Sequence, residues 1–224
     1  MILCVTTPAP RPAESLSALA RLGFEPVDGS AGLLSDGAAA LAMDGTPAGR
    51  LGLRVWRSAL AEGAEPWIER QGPVAFEGGR LLQAPSGARV EVLDGDPPAL
   101  ELSDRGRVLG GFAGVSLESP SLARSLEFWG ALLGASPSAG GAEQGWVTAR
   151  VVGGPDLSFM APFACPHSFV NPSLTYFNGG RNAEVIADLE RRGAPVFEVV
   201  GGHDPAENVI LREPGGVGFF VFND

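Results

Sequence analysis

The stretch GVSLESPSLARSLEFWGALLGA, residues 114–135, carries three signals in succession. Apolar and polar residues alternate as far as Glu118, which reads as a strand. Leu122, Leu126, Trp129 and Leu133 then fall at steps of four, three and four, one face of an α-helix. Gly134 closes that helix, because glycine suits the left-handed turn past a helix end.

The same order recurs along the chain. Helix, glycine and strand appear as SLSALARLGFEPV (15–27), PWIERQGPVAF (66–76), LEFWGALLGASP (126–137) and VIADLERRGAPVF (185–197). The expected stops are Gly23, Gly72, Gly134 and Gly193. Pro66 starts or splits the second helix. Strand-like runs precede each helix at 2–7, 50–56, 112–119 and 173–178. Strands with glycine punctuation follow at 32–44, 80–94, 145–160 and 208–222. The unit is βαβββ, repeated four times. Units one and three share a helix ending in Leu-Gly. Units two and four share Glu-Arg-x-Gly followed by a Pro-Val strand. This alternation predicts an α+β protein of two domains with two units each, 1–106 and 107–224, the first pair shortened.

Bulk properties limit the function. The chain has 224 residues, 45% hydrophobic and 19% charged, which reads as globular. The start MILCVTTPAPRPAES has no basic segment and too short an apolar run for a signal peptide, so a cytoplasmic location is expected. No run approaches a membrane span. A net charge of −10 argues against nucleic-acid binding. All 16 basic residues are Arg, which excludes lysine Schiff-base chemistry and Walker-type phosphate binding. Cys4 and Cys165 form no CxxC pair and read as reduced core thiols. GGFAG (110–114) and FNGGRN (177–182) are glycine turns without a phosphate-loop pattern, and no GxSxG is present.

Here the residues resemble a known family. The helix closing with Phe128, Trp129, Leu133 and Gly134, together with the ending EPGGVGFFVFND (213–224), resembles the vicinal oxygen chelate superfamily. That group holds glyoxalases, bleomycin-resistance proteins and type I extradiol dioxygenases. The resemblance spans nearly the whole chain and is stronger in 108–224. It implies paired βαβββ modules whose curved sheets surround a cleft. It also implies, in metal-dependent members, His or Glu on the first and last strands of the units, converging on one divalent ion.

Carried across, those positions fall on Gly114, Ser173 and Phe220 in the second half, none of them a useful ligand. In the first half they fall on Ile2 or a neighbour, Arg50 and Glu91. The turns APSG (84–87) and EPGG (213–216) align, so Glu91 and Phe220 occupy matching places. Arg50 facing Glu91 has three readings: a structural ion pair, an anion-binding arginine oriented by glutamate, or a retained metal at Glu91.

His167 and His203 are the two histidines. His203 beside Asp204 reads as a metal ligand, a general base or a solvated turn residue. With Glu91, these two are the acid–base candidates. Strand alternation puts Ser173, Thr175 and Phe177 on one face, and Gly218, Phe220 and Phe222 on another. Trp146, Thr148 and Arg150 alternate on a further strand. The expected substrate-binding set is Arg50, Arg150, Trp146, Ser173, Thr175, Phe177, Phe220 and Phe222.

Three functions compete. The first is a protein that binds an organic small molecule in an aromatic cleft, with no metal or other cofactor, and that acts by sequestration or as a metal-independent lyase or isomerase. The second is a metal-dependent dioxygenase or glyoxalase-type lyase using Glu91, His167 or His203. The third is a non-catalytic homodimeric scaffold with filled clefts.

Overall fold

A computed structural model describes residues 3–44, 49–100, 108–165, 167–194, 196–200 and 208–223. The sequence-predicted domain boundary at 106/107 lies outside these residues.

Unit one comprises β1 (Leu3–Pro8), α1 (Pro12–Arg21), β2 (Glu25–Pro26), β3 (Leu33–Ser35) and β4 (Ala40–Asp44). Unit two comprises β5 (Gly52–Trp56), α2 (Ala64–Arg70), β6 (Val74–Phe76), β7 (Gly79–Gln83) and β8 (Arg89–Leu93). Unit three comprises β9 (Gly111–Glu118), α3 (Leu122–Leu133), β10 (Ser136–Gly141), β11 (Trp146–Arg150) and β12 (Leu157–Met160). Unit four comprises β13 (Ser173–Phe177), α4 (Asn182–Arg191), β14 (Val196–Val199), β15 (Val209–Arg212) and β16 (Gly218–Phe222). No described helix is long and apolar enough to cross a membrane.

The predicted glycine stops all take positive φ: 86° at Gly23, 65° at Gly72, 70° at Gly134 and 65° at Gly193. Helix α3 is bounded at its other end by Ser121, whose hydroxyl accepts from the Arg124 amide at 3.3 Å. Pro66 sits inside the first turn of α2, where its missing N–H has no intrahelical partner to lose.

The strands form two eight-stranded sheets of identical topology, β2-β3-β4-β1-β5-β8-β7-β6 and β10-β11-β12-β9-β13-β16-β15-β14. In each, the first strands of two units pair antiparallel, and each first strand pairs parallel with the last strand of its own unit.

Each sheet has two distinct faces. Val90, Val92, Phe219 and Val221 join the helices in one main core that spans both halves. Within it Phe24 meets Phe219 edge-on at 5.7 Å, and Trp67 of α2 meets Phe128 of α3 at 5.1 Å. The alternate residues Glu91, Phe220 and Phe222 occupy the opposite face, termed the cleft face.

Polar contacts also tie the halves together. The Tyr176 hydroxyl donates to Asp36 at 2.8 Å. Asn171 Nδ2 donates to the carbonyls of Ser86 and Glu118, both at 3.0 Å. Glu213, only 3% exposed, accepts from the Thr7 hydroxyl and from the amides of Gly215 and Val217. The two matching turns, 84–87 and 213–216, therefore each dock on the other half.

Candidate functional site

The cleft face is ordered by hydrogen-bond register. Antiparallel pairing sets Cys4 opposite Arg54, and parallel pairing sets Arg54 opposite Glu91. In the second half Gly114 lies opposite Thr175, and Thr175 opposite Phe220. Two equivalent rows result: Cys4–Arg54–Glu91 and Gly114–Thr175–Phe220.

The first row is ionic. Glu91 is 8% exposed, and its Oε2 lies 2.8 Å from both Nε and Nη2 of Arg54. Its Oε1 lies 2.8 Å from Nη2 of Arg89, which also reaches Asp44 at 3.0 Å. Two guanidinium groups and two carboxylates thus form one neutral cluster. Burial pushes the Cys4 thiol up to about 12; the Arg54 charge opposes that shift only in part.

The second row is closed by carbon. Gly114 adopts φ 146°, and a Cβ there would lie 2.2 Å from the Asp156 carbonyl oxygen. No L-side chain fits that position without moving the Asp156 backbone that leads into β12. The Thr175 hydroxyl is 2.7 Å from that of Ser116. Phe220 is 2% exposed. It stacks on Phe222 at 5.6 Å and meets Phe169 and His167 edge-on at 5.2 and 5.0 Å. His167 Nδ1 lies 2.9 Å from the Ser168 carbonyl, so that nitrogen carries the proton. The space left among these groups is about 70 Å³.

A larger cavity, about 620 Å³, lies in the first half. Arg50, Arg89, Gln71, Gln83, Leu51 and Leu81 are among the residues around it.

No protein-family model and no curated protein matches the chain. Solved structures do. A Mn(II)-bound glyoxalase from Novosphingobium aromaticivorans aligns over 98% of this chain and 79% of its own, at 18% identity and TM-score 0.57. A 2,2',3-trihydroxybiphenyl 1,2-dioxygenase from Sphingomonas wittichii aligns over 100% and 91%, at 14% identity and TM-score 0.56. Homoprotocatechuate 2,3-dioxygenase from Arthrobacter globiformis aligns over 98% and 78%, at 11% identity and TM-score 0.61. The chain shares the fold of these glyoxalase and dioxygenase structures.

A catalytic divalent-metal site of the kind the sequence resemblance implies needs several deprotonated N or O donors on one ion, with open positions left over. Neither row offers this set. In the first, a guanidinium occupies the central position and the single carboxylate is already engaged by two arginines. In the second, a glycine, a threonine and a phenylalanine stand at the three places. Among the described residues, no group of three or more His, Cys, Asp or Glu could hold a metal.

Two sequence expectations are corrected. Arg50 does not face Glu91; Arg54 and Arg89 do. Strand β5 begins at Gly52, so Arg50 precedes the ladder and has no partner on β8. Likewise, Thr175 rather than Ser173 shares a row with Gly114 and Phe220. Ser173 pairs with Gly218, and its hydroxyl donates to the Val170 carbonyl.

Of the other expected site residues, Thr175, Phe177, Phe220 and Phe222 do converge around the small cleft. His167, Cys165, Met160 and Ser158 join them without having been placed there from the sequence. Trp146 and Arg150 stand apart on β11, both exposed. The remaining pair, His203 and Asp204, lies outside the described residues.

Arg54 and Arg89 are cleft-face residues that sequence reasoning missed. A signal for Arg89 exists in RVEVL (89–93), where it alternates in step with Glu91.

Proposed function

We propose that this protein binds an organic small molecule without using a divalent metal or other cofactor. One observation carries the reading: the superfamily's ligand positions hold a closed ion-pair cluster in one half and an aromatic plug in the other. A metal entering the first row would have to displace two guanidinium groups from Glu91, adding positive charge to positive charge. The open volume favours the first half as the binding half. The second cleft, with about 70 Å³, favours a scaffold role for its half.

The test is metal content of the purified chain, followed by titration with Fe(II), Mn(II), Ni(II) and Zn(II) before and after chelation. Substoichiometric metal and an unchanged melting temperature are expected. Stoichiometric, tight metal that disappears in Glu91→Ala would overturn the reading in favour of metal-dependent dioxygenase or lyase chemistry.

A further inference from the structure

Resting on that reading, we propose that the ligand is an organic carboxylate with an apolar body, held in the 620 Å³ cavity with its anion against Arg50.

The cavity lies over the end of the first sheet. Gln83 pairs with Arg89 and Leu81 with Glu91, so Leu81 and Gln83 share the cleft face with the ionic row. Its volume falls in the range of pockets that enclose small organic ligands, about 300–1,000 Å³.

The lining of this cavity departs from the acidic balance of the chain. The chain has 26 acidic residues against 16 arginines, yet among the described residues two arginines and no carboxylate line the cavity. Arg89 is neutralised by Asp44 and Glu91. Arg50 is different: it makes no ion pair or hydrogen bond among the described residues, so it supplies the uncompensated positive charge. One such charge suits a monoanion. A guanidinium engages a carboxylate through two parallel N–H donors, which fixes orientation as well as charge.

The remaining lining fits the rest of such a molecule. Leu51 and Leu81 offer apolar wall, while Gln71 and Gln83 provide neutral donors and acceptors. Val74, 64% exposed, extends the apolar surface beside them.

The experiment uses a matched pair, 2-naphthoate and 2-naphthamide, which differ in charge and little in shape. Each is titrated by calorimetry into the full chain, with amide chemical shifts followed by NMR. Naphthoate is expected to bind about tenfold more tightly than the amide, a factor in keeping with one charge-assisted contact. Shifts should centre on Gly72 and Gly87, both at the cavity. Arg50→Gln should remove most of that tenfold preference without altering the melting temperature, since Arg50 is exposed and makes no pair among the described residues. Gln83→Trp, an exposed position, should block both probes.

Equal binding of the pair overturns the carboxylate assignment, and a preference that survives Arg50→Gln overturns Arg50 as the partner of the anion. Shifts centred on Phe220, or no binding of either probe, overturn the location. In each case the metal-free reading is judged separately by the metal titration.

Discussion

At equivalent rows of two matching sheets, the halves of this molecule solve one problem in opposite ways. A cleft built around a metal leaves polar positions facing inward. The first half fills its row with charges that cancel: Arg54 and Arg89 against Glu91 and Asp44. The second half removes charge from its row: Gly114, Thr175 and Phe220 carry none, and Phe222, Phe169 and His167 pack around the ring. The difference teaches that one backbone row accommodates either solution. Either charge neutralisation or aromatic packing satisfies the same strand positions, and the charged row has the larger cavity beside it.

The largest effect is expected where carbon does the closing. Phe220→Ala should cost about 4 kcal/mol, as deletion of a buried ring does, measured by urea unfolding. It should also open the second cleft enough for benzene or indole to bind and restore part of the loss. A loss under about 1 kcal/mol would mean that the ring is not packed as described.

Glu91→Ala comes next, at about 3 kcal/mol, because it strands Arg54 beside Arg89 without their shared carboxylate. The double replacement Arg54→Met with Glu91→Leu should recover most of that cost, since Arg89 keeps Asp44. If the double variant is as unstable as Glu91→Ala, charge cancellation is not what holds the first row.

Alkaline pH separates the rows by titration. A buried thiol with a raised pKa supports the fold fully below its ordinary value of 9.0 and loses that support as pH rises toward about 12. Stability should therefore fall by about 1.4 kcal/mol per pH unit in that window. Cys4→Ala should flatten the slope by that amount. An unchanged slope in the variant would place its origin elsewhere in the chain.

Thr175→Val should have the smallest effect, about 1 kcal/mol, because it leaves the Ser116 hydroxyl buried without its partner at 2.7 Å. Pairing it with Ser116→Ala should bring the cost close to zero. A double variant less stable than the single one would show that the two hydroxyls do not act as a pair.

The sequence by itself determined the four βαβββ units, their helix stops and which residues of a strand share a face. These features rest on short-range physics: the 3.6-residue helical period, glycine's tolerance of positive φ and the two-residue alternation of a strand. It also determined that Gly114 and Phe220 are no metal ligands, since that follows from residue type alone.

Only the tertiary structure decided which residues stand side by side. Positions 50, 52, 54 and 56 share one parity, so alternation cannot tell Arg50 from Arg54 as the partner of Glu91. Ser173 and Thr175 are equivalent in the same sense. The choice depends on where a strand begins and how it registers against another strand, β5 on β8 or β13 on β16. The cross-half bond from Tyr176 to Asp36 joins residues 140 positions apart, beyond any local pattern. Whether a cleft is open or filled was decided the same way, by the volume that non-local side chains leave behind.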